Sequence, residues 1–152
     1  MCGIAGIVSL SSEPIEHLEG KLRVMSDLIA HRGPDDEGIW CTPDKTAGLA
    51  HRRLSILDLS PAGAQPMVAP NGTVLVHNGE VYNFVELRQA LESNWRFHGT
   101  SDTETILAAY EHYGDSLVDH LRGMFAFAIW DDRSKRLVAC LLYTSPSPRD
   151  RS

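Results

Sequence analysis

The sequence predicts an α+β domain, and three features carry that expectation. Its elements run strand, helix, several strands, two helices and strands again, whereas a parallel βαβ chain would alternate throughout. Gly123–Trp130 alternates Met124, Ala126 and Ala128 with Phe125, Phe127 and Ile129, so one face is small and apolar and the other large and apolar. A strand of that kind belongs between two packed layers. No GxGxxG or P-loop spacing occurs, so nothing in the chain cradles a nucleotide phosphate in the manner of those loops.

Each element has a local reason. Cys2–Leu10 is apolar and β-compatible, and its glycines permit close backbone approach. Glu16–Ala30 reads as an amphipathic helix with Leu18, Leu22, Met25 and Ile29 on one face. The stretch His31–Gly38 breaks regular structure at Gly33-Pro34. Short strands follow at Glu37–Cys41 and Thr46–Leu57, then a loop rich in Pro and Gly over Ser60–Asn71. Thr73–His77 reads as a strand leading into a turn at Asn78-Gly79, a dipeptide favoured in hairpins. Asn83 with Glu86 marks a helix start, and Phe84, Leu87 and Leu91 give that helix its apolar face. Ser101 with Glu104 repeats the signal before Ile106, Leu107, Tyr110 and Tyr113, and Arg136–Leu142 reads as a further strand.

The chain has 152 residues, which suits one domain with a real core. Net charge is −6, with the 14 Lys and Arg scattered, which argues against nucleic acid or an anionic membrane as the main partner. No apolar run approaches the roughly 18–20 residues needed to cross a bilayer. The apolar start is too short for a signal peptide, so a cytoplasmic setting is expected. Cys2, Cys41 and Cys140 are odd in number and lack CxxC spacing, which speaks against a disulfide framework or structural zinc. Cys41 and Cys140 read as small buried hydrophobes. His31, His51 and His77 are widely spaced and lack an HExxH pattern, so no metal is expected.

Cys2 differs because of its place. Once Met1 is removed, one residue offers both a thiol and a free α-amine. The amine titrates near roughly 7.7–8.0 and a free thiol near roughly 8.5. The amine can therefore serve as the base for its own side chain, which dispenses with a histidine partner.

Blocks in order surround it: Cys2-Gly-Ile-Ala-Gly6, Arg32-Gly-Pro-Asp-Asp-Glu-Gly38, Leu49-Ala-His-Arg-Arg-Leu-Ser-Ile-Leu-Asp58, Gly63-Ala-Gln-Pro-Met67, His77-Asn-Gly-Glu-Val-Tyr-Asn83 and Ser101-Asp102. Together, from Met1 to about Ala139, they resemble the glutaminase domain of glutamine-hydrolysing asparagine synthetases, class II glutamine amidotransferases with an N-terminal nucleophile. The resemblance implies a four-layer αββα sandwich. It implies that Cys2 attacks the side-chain amide of L-glutamine to give a thioester and ammonia. The side-chain amide of Asn78 and the backbone N–H of Gly79 would form the oxyanion hole. Arg53 would hold the substrate α-carboxylate through its two-pronged donor set, and Glu80 and Asp102 the α-ammonium. Leu54, Ser55, Ile56 and Leu57 would line the pocket, with Arg32 and Asp36 ordering the adjacent loop. Read singly, Asn78-Gly79 is a turn, Asp102 a helix cap and Arg53 a solvated strand residue; only the joint pattern raises them above that.

The resemblance stops after Leu137-Val-Ala139. Residues 140–152, polar and rich in Pro and Ser, are unsuited to an inner strand and resemble a translated sequencing adaptor, so a non-native tail is expected there. No cofactor is expected in this domain. ATP and Mg2+ belong to a C-terminal synthetase domain, the partner that would use the ammonia to make asparagine from aspartate, and that domain is not in these residues. A homodimer stays open. Other readings are the same chemistry serving a different acceptor, such as a sugar phosphate, polysaccharide or secondary-metabolite substrate, and a fragment or scaffold domain without activity. An incomplete sandwich exposes strand edges, so the piece alone is expected to be inactive.

Overall fold

The computed structural model describes residues 2–141. Strand β1 (Gly3–Val8) is followed by helix α1 (Leu18–Leu28), strands β2 (Asp36–Cys41), β3 (Ala47–Arg53), β4 (Met67–Val68) and β5 (Val74–Val81). Helices α2 (Phe84–Leu91), α3 (Asp102–Tyr113) and α4 (Leu117–His120) come next, then strands β6 (Gly123–Asp131) and β7 (Arg136–Leu141). The strands form two antiparallel sheets, in the orders β1-β3-β2 and β4-β5-β6-β7.

Three apolar clusters show how these elements stack. Leu18 and Leu22 of α1 bury themselves against Ala50, with Ala5, Ile7, Ile39 and Cys41 around them, covering the outer face of the first sheet. Leu49 and Ala47 of the first sheet meet Val74, Val76 and Trp130 of the second, with Ile4, Trp40 and Ala128 closing the space between sheets. The opposite face of the second sheet, through Leu75, Phe127 and Ile129, packs on Leu87, Leu91, Ile106, Leu107, Tyr110 and Leu117 of α2, α3 and α4. The order is helix, sheet, sheet, helices: the four-layer αββα sandwich that the sequence suggested. The two faces of β6 explain its composition. Phe125, Phe127 and Ile129 turn to the helices, while Ala128 and Trp130 turn to the facing sheet, the small alanine making room beside the indole.

Several boundaries differ from the expectation. Helix α1 is shorter than Glu16–Ala30, and Met25 and Ile29 are only partly buried at its end. Strand β3 stops at Arg53, and residues 54–57 leave the sheet as a loop. Ser60–Asn71 holds a 3-10 turn at Pro61–Gly63 and the two-residue strand β4. Asn78-Gly79 is not a turn: β5 runs through it to Val81, with Asn78 opposite Ala126 and Gly79 opposite Phe125. Gly79 has φ 144, and a Cβ there would collide with the Met124 carbonyl oxygen, so only glycine fits. Ser101 caps α3 as expected, accepting from the Glu104 N–H at 3.3 Å. Asn83 stands before α2 but does not cap it. Its side chain instead donates to the His120 carbonyl and accepts from the Arg122 N–H, tying the start of α2 to the start of β6. Strand β7 extends to Leu141, so Cys140 and Leu141 pair with β6; Leu142 and the rest of the expected tail lie outside the described residues.

Candidate active site

Strand β4 pairs with β5 only at Met67–Leu75 and Val68–Val74. Beyond that point the outer edge of β5 has no strand partner among the described residues, and a cavity of about 180 Å³ opens beside it. In an antiparallel strand, alternate residues direct both backbone groups to the same side. The Tyr82 N–H reaches the Arg122 carbonyl on the β6 side, so residues 77, 79 and 81 direct theirs to the free edge. Side chains take up what a strand would have satisfied. The His77 N–H donates to Gln65 Oε1 at 2.6 Å, His51 Nε2 meets the His77 carbonyl at 3.1 Å, and the Val81 N–H donates to Asp102 Oδ2 at 2.9 Å. Between these two held positions the Gly79 N–H faces the cavity side.

Cys2 precedes β1 on the face that looks between the sheets. Its Sγ accepts from the Leu54 N–H at 3.4 Å and lies 3.7 Å from the Leu54 carbonyl, while its own carbonyl accepts from Arg32 Nε at 2.9 Å. The thiol is thus anchored where β3 gives way to the 54–60 loop. Arg32 secures the Cys2 backbone. Asp36 opens β2 opposite Arg53. Asn78, next along β5, lines the same cavity, and its Oδ1 is buried with no hydrogen-bond partner among the described residues.

Charges are arranged asymmetrically around this space. Arg53 is 7% exposed, and its guanidinium donates to the carbonyls of Leu57, Asp58 and Ser60. Gly63 makes room for it, since a Cβ there would strike the guanidinium. Carbonyls orient a guanidinium without neutralising it, and among the described residues no carboxylate lies within ion-pair distance of Arg53. Asp102, at the start of α3, is 5% exposed. Burial pushes its carboxyl above the usual carboxylate range, against the lowering effect of backbone donors at Val81, Thr103 and its own N–H. Glu80 is exposed at the margin of the cavity. Arg53 and Asp102 thus place a guanidinium and a carboxyl group, both buried, in one cavity, each without an ion-pair partner among the described residues.

Cys2, Arg53, Leu54, Ile56, Leu57, Asn78, Gly79, Glu80 and Asp102 all line the cavity. Ser55 does not; its N–H donates to Asp35 Oδ2 at 2.8 Å, which turns the residue away as part of the loop frame. Gln65, His77, Thr103 and Met124 also line it and were not singled out from sequence. Gln65 stands in a block that carried the resemblance, yet its function depends on a contact with β5 that no local pattern announces. The His77 N–H can only donate, so the Gln65 amide is oriented with Oε1 towards it and Nε2 towards Thr103 Oγ1, at 3.4 Å. The Thr103 hydroxyl then has its proton for His77 Nδ1, at 3.1 Å. Burial holds both His51 and His77 neutral, with pKa values lowered from 6.5 to about 4. Among the described residues no group of three or more His, Cys, Asp or Glu could hold a metal ion, and no helix is long and apolar enough to cross a membrane.

Comparison with known proteins identifies the family. The profile of the glutamine amidotransferase domain family matches residues 1–141. Amidase chry2 of Gibberella zeae is 42% identical over 148 residues, covering 91% of this chain and 22% of that protein. Asparagine synthetase B [glutamine-hydrolyzing] of Escherichia coli is 44% identical over 132 residues, covering 86% of this chain and 23% of that protein. The chain thus spans about a fifth of the length of the curated relatives it matches. The solved structure of the glutamine phosphoribosylpyrophosphate amidotransferase from Bacillus subtilis shares the fold, with TM-score 0.68 and 20% identity over 85% of this chain and 35% of that one. The chain belongs to the glutamine amidotransferase domain family.

Proposed function

We propose that this domain hydrolyses L-glutamine to glutamate and ammonia, with Cys2 as an N-terminal nucleophile after removal of Met1. The observation that supports it most is the shared cavity: a thiol, a buried Arg53 and a buried Asp102, neither with an ion-pair partner among the described residues. Glutamine carries the matching carboxylate and ammonium at one end and an amide at the other. In this reading Arg53 takes the α-carboxylate, Asp102 and Glu80 take the α-ammonium, and Leu54, Ile56 and Leu57 enclose the methylene stem. Ser55 holds the loop through its backbone and does not touch substrate.

The chemistry follows from that pose. The Cys2 α-amine removes the thiol proton, and the Leu54 N–H stabilises the sulfur as it becomes anionic. Sulfur attacks the amide carbon, and the oxyanion is held by the Asn78 side chain and the Gly79 N–H. Collapse breaks the C–N bond, the ammonium of Cys2 returns its proton to the leaving nitrogen, and a thioester remains. Water, deprotonated by the same amine, then releases glutamate. Substituting Cys2→Ala in the full-length protein should abolish ammonia release from glutamine, measured by coupled glutamate detection. Residual hydrolysis above about 1% of wild type would contradict a covalent route.

The ammonia would serve ATP-dependent synthesis of asparagine from aspartate in a C-terminal synthetase domain of a longer chain, where ATP and Mg2+ would bind. The similarity to Escherichia coli asparagine synthetase B supports this acceptor. A different acceptor is supported by comparable similarity to the amidases chry2 and chyE, the latter of Penicillium rubens. Full-length protein supplied with glutamine, ATP and aspartate should yield asparagine. Ammonia release without asparagine would favour the other acceptor.

A further inference from the structure

Oxyanion stabilisation is effective only when the donors are held still before the charge develops. Here the donors sit on a stretch of the β5 edge that, beyond β4, has no neighbouring strand among the described residues, and an unpaired edge is the least constrained place in a sheet. The structure supplies a substitute. On one side of the Asn78-Gly79 pair, the His77 peptide is gripped at both polar groups: its N–H by Gln65 Oε1 at 2.6 Å, its carbonyl by His51 Nε2 at 3.1 Å. On the other side, Asp102 Oδ2 holds the Val81 N–H.

The grip crosses the sandwich. His51 belongs to β3 of the first sheet and His77 to β5 of the second, so the bond ties the two sheets together one residue before Asn78. A carbonyl only accepts, which fixes the His51 proton on Nε2 and leaves Nδ1 unprotonated, buried and without a partner among the described residues. His51 itself is 1% exposed and does not line the cavity, so a direct role with substrate does not fit its place.

We propose that His51 and Gln65 are positioning residues that lock the His77 peptide and thereby hold the Asn78 side chain and the Gly79 N–H for the oxyanion, an inference that rests on the glutaminase reading above. They act through the backbone of β5: His51 stands outside the cavity, and Gln65, at its wall, commits its amide oxygen to the His77 N–H. Losing either grip should therefore weaken binding of tetrahedral species while leaving recognition of the amino-acid end intact.

A γ-aldehyde analogue of glutamine, which adds the Cys2 thiol to give a tetrahedral hemithioacetal, measures the first property; glutamate binding measures the second. In the full-length protein, His51→Leu and Gln65→Leu should each weaken aldehyde binding and lower kcat by roughly tenfold. Glutamate affinity and KM for glutamine should stay within about twofold. His51→Gln, whose amide can donate to the same carbonyl, should recover part of the loss. Unchanged aldehyde affinity in both Leu variants overturns the proposal. A parallel loss of aldehyde and glutamate affinity also overturns it, because that pattern marks general disruption. A wild-type protein that forms no Cys2 adduct with the aldehyde, or a Cys2→Ala protein that binds it equally well, overturns the glutaminase reading instead.

Discussion

Acidification from about pH 7 to about pH 5 should destabilise this fold through the two histidines buried beneath the site. Each is held neutral by burial, with its pKa lowered from 6.5 to about 4. In the unfolded chain both take protons once the pH falls below about 6.5, so protons favour the unfolded state. The stability these rings contribute is fully present above about 6.5 and is lost as the pH falls towards about 4. For one histidine the loss is about 2 kcal/mol at pH 5 and about 3 kcal/mol at pH 4. The two rings are close enough to oppose each other's charging, so their losses do not simply add. Asp102 acts in the opposite sense, because its raised pKa makes its charge costly at neutral pH and its protonation restores stability. Asp44, held down to about 2, loses its share only at lower pH. Urea unfolding at both pH values isolates the histidine effect when wild type is compared with His77→Leu. The variant should lose about 2 kcal/mol less on acidification. Equal losses in the two proteins would refute the assignment of this pH response to the buried ring.

Other consequences can be checked alongside it. Asp102→Asn removes a buried charge that has no countercharge among the described residues, so the ligand-free protein should melt higher while glutamine binding falls by roughly 30-fold or more, read by thermal unfolding and calorimetry. Asn78→Ala should lower kcat by about 10²–10³-fold with KM nearly unchanged, read by steady-state ammonia release. Phe127→Ala empties the joint between the second sheet and the helices and should cost about 3–5 kcal/mol in urea unfolding.

The layers of this fold were legible because they rest on periodicity. The paired faces of β6 announced a strand between two layers, and Ser101 with Glu104 announced the start of α3. Local signals failed where a distant contact outweighed them. Asn78-Gly79 carries the chemistry of a turn, yet β6 pairs straight across it and the Met124 carbonyl occupies the space that a side chain at Gly79 would need. Asn83 carries the chemistry of a helix cap, yet Arg122 and His120 claim its amide. The sequence extends a strand over Thr46–Leu57, past its observed end at Arg53, because apolar residues lining a cavity look the same in sequence as apolar residues within a sheet. Of the candidate site, Cys2, Arg53, Asn78, Gly79, Glu80 and Asp102 stood in the blocks that carried the resemblance, and all of them line the cavity. The residues that hold those in place, His51 and Gln65, reach His77 across 26 and 12 positions of chain, and only the folded arrangement reveals the contact.

The N-terminal nucleophile is the central claim, and mass spectrometry of the full-length protein tests it most directly. The protein should lack Met1 and should gain one adduct from an electrophilic glutamine analogue, located by peptide mapping on Cys2. Excess glutamine should protect against it. Retained Met1, or label on Cys41 or another residue, would contradict the account.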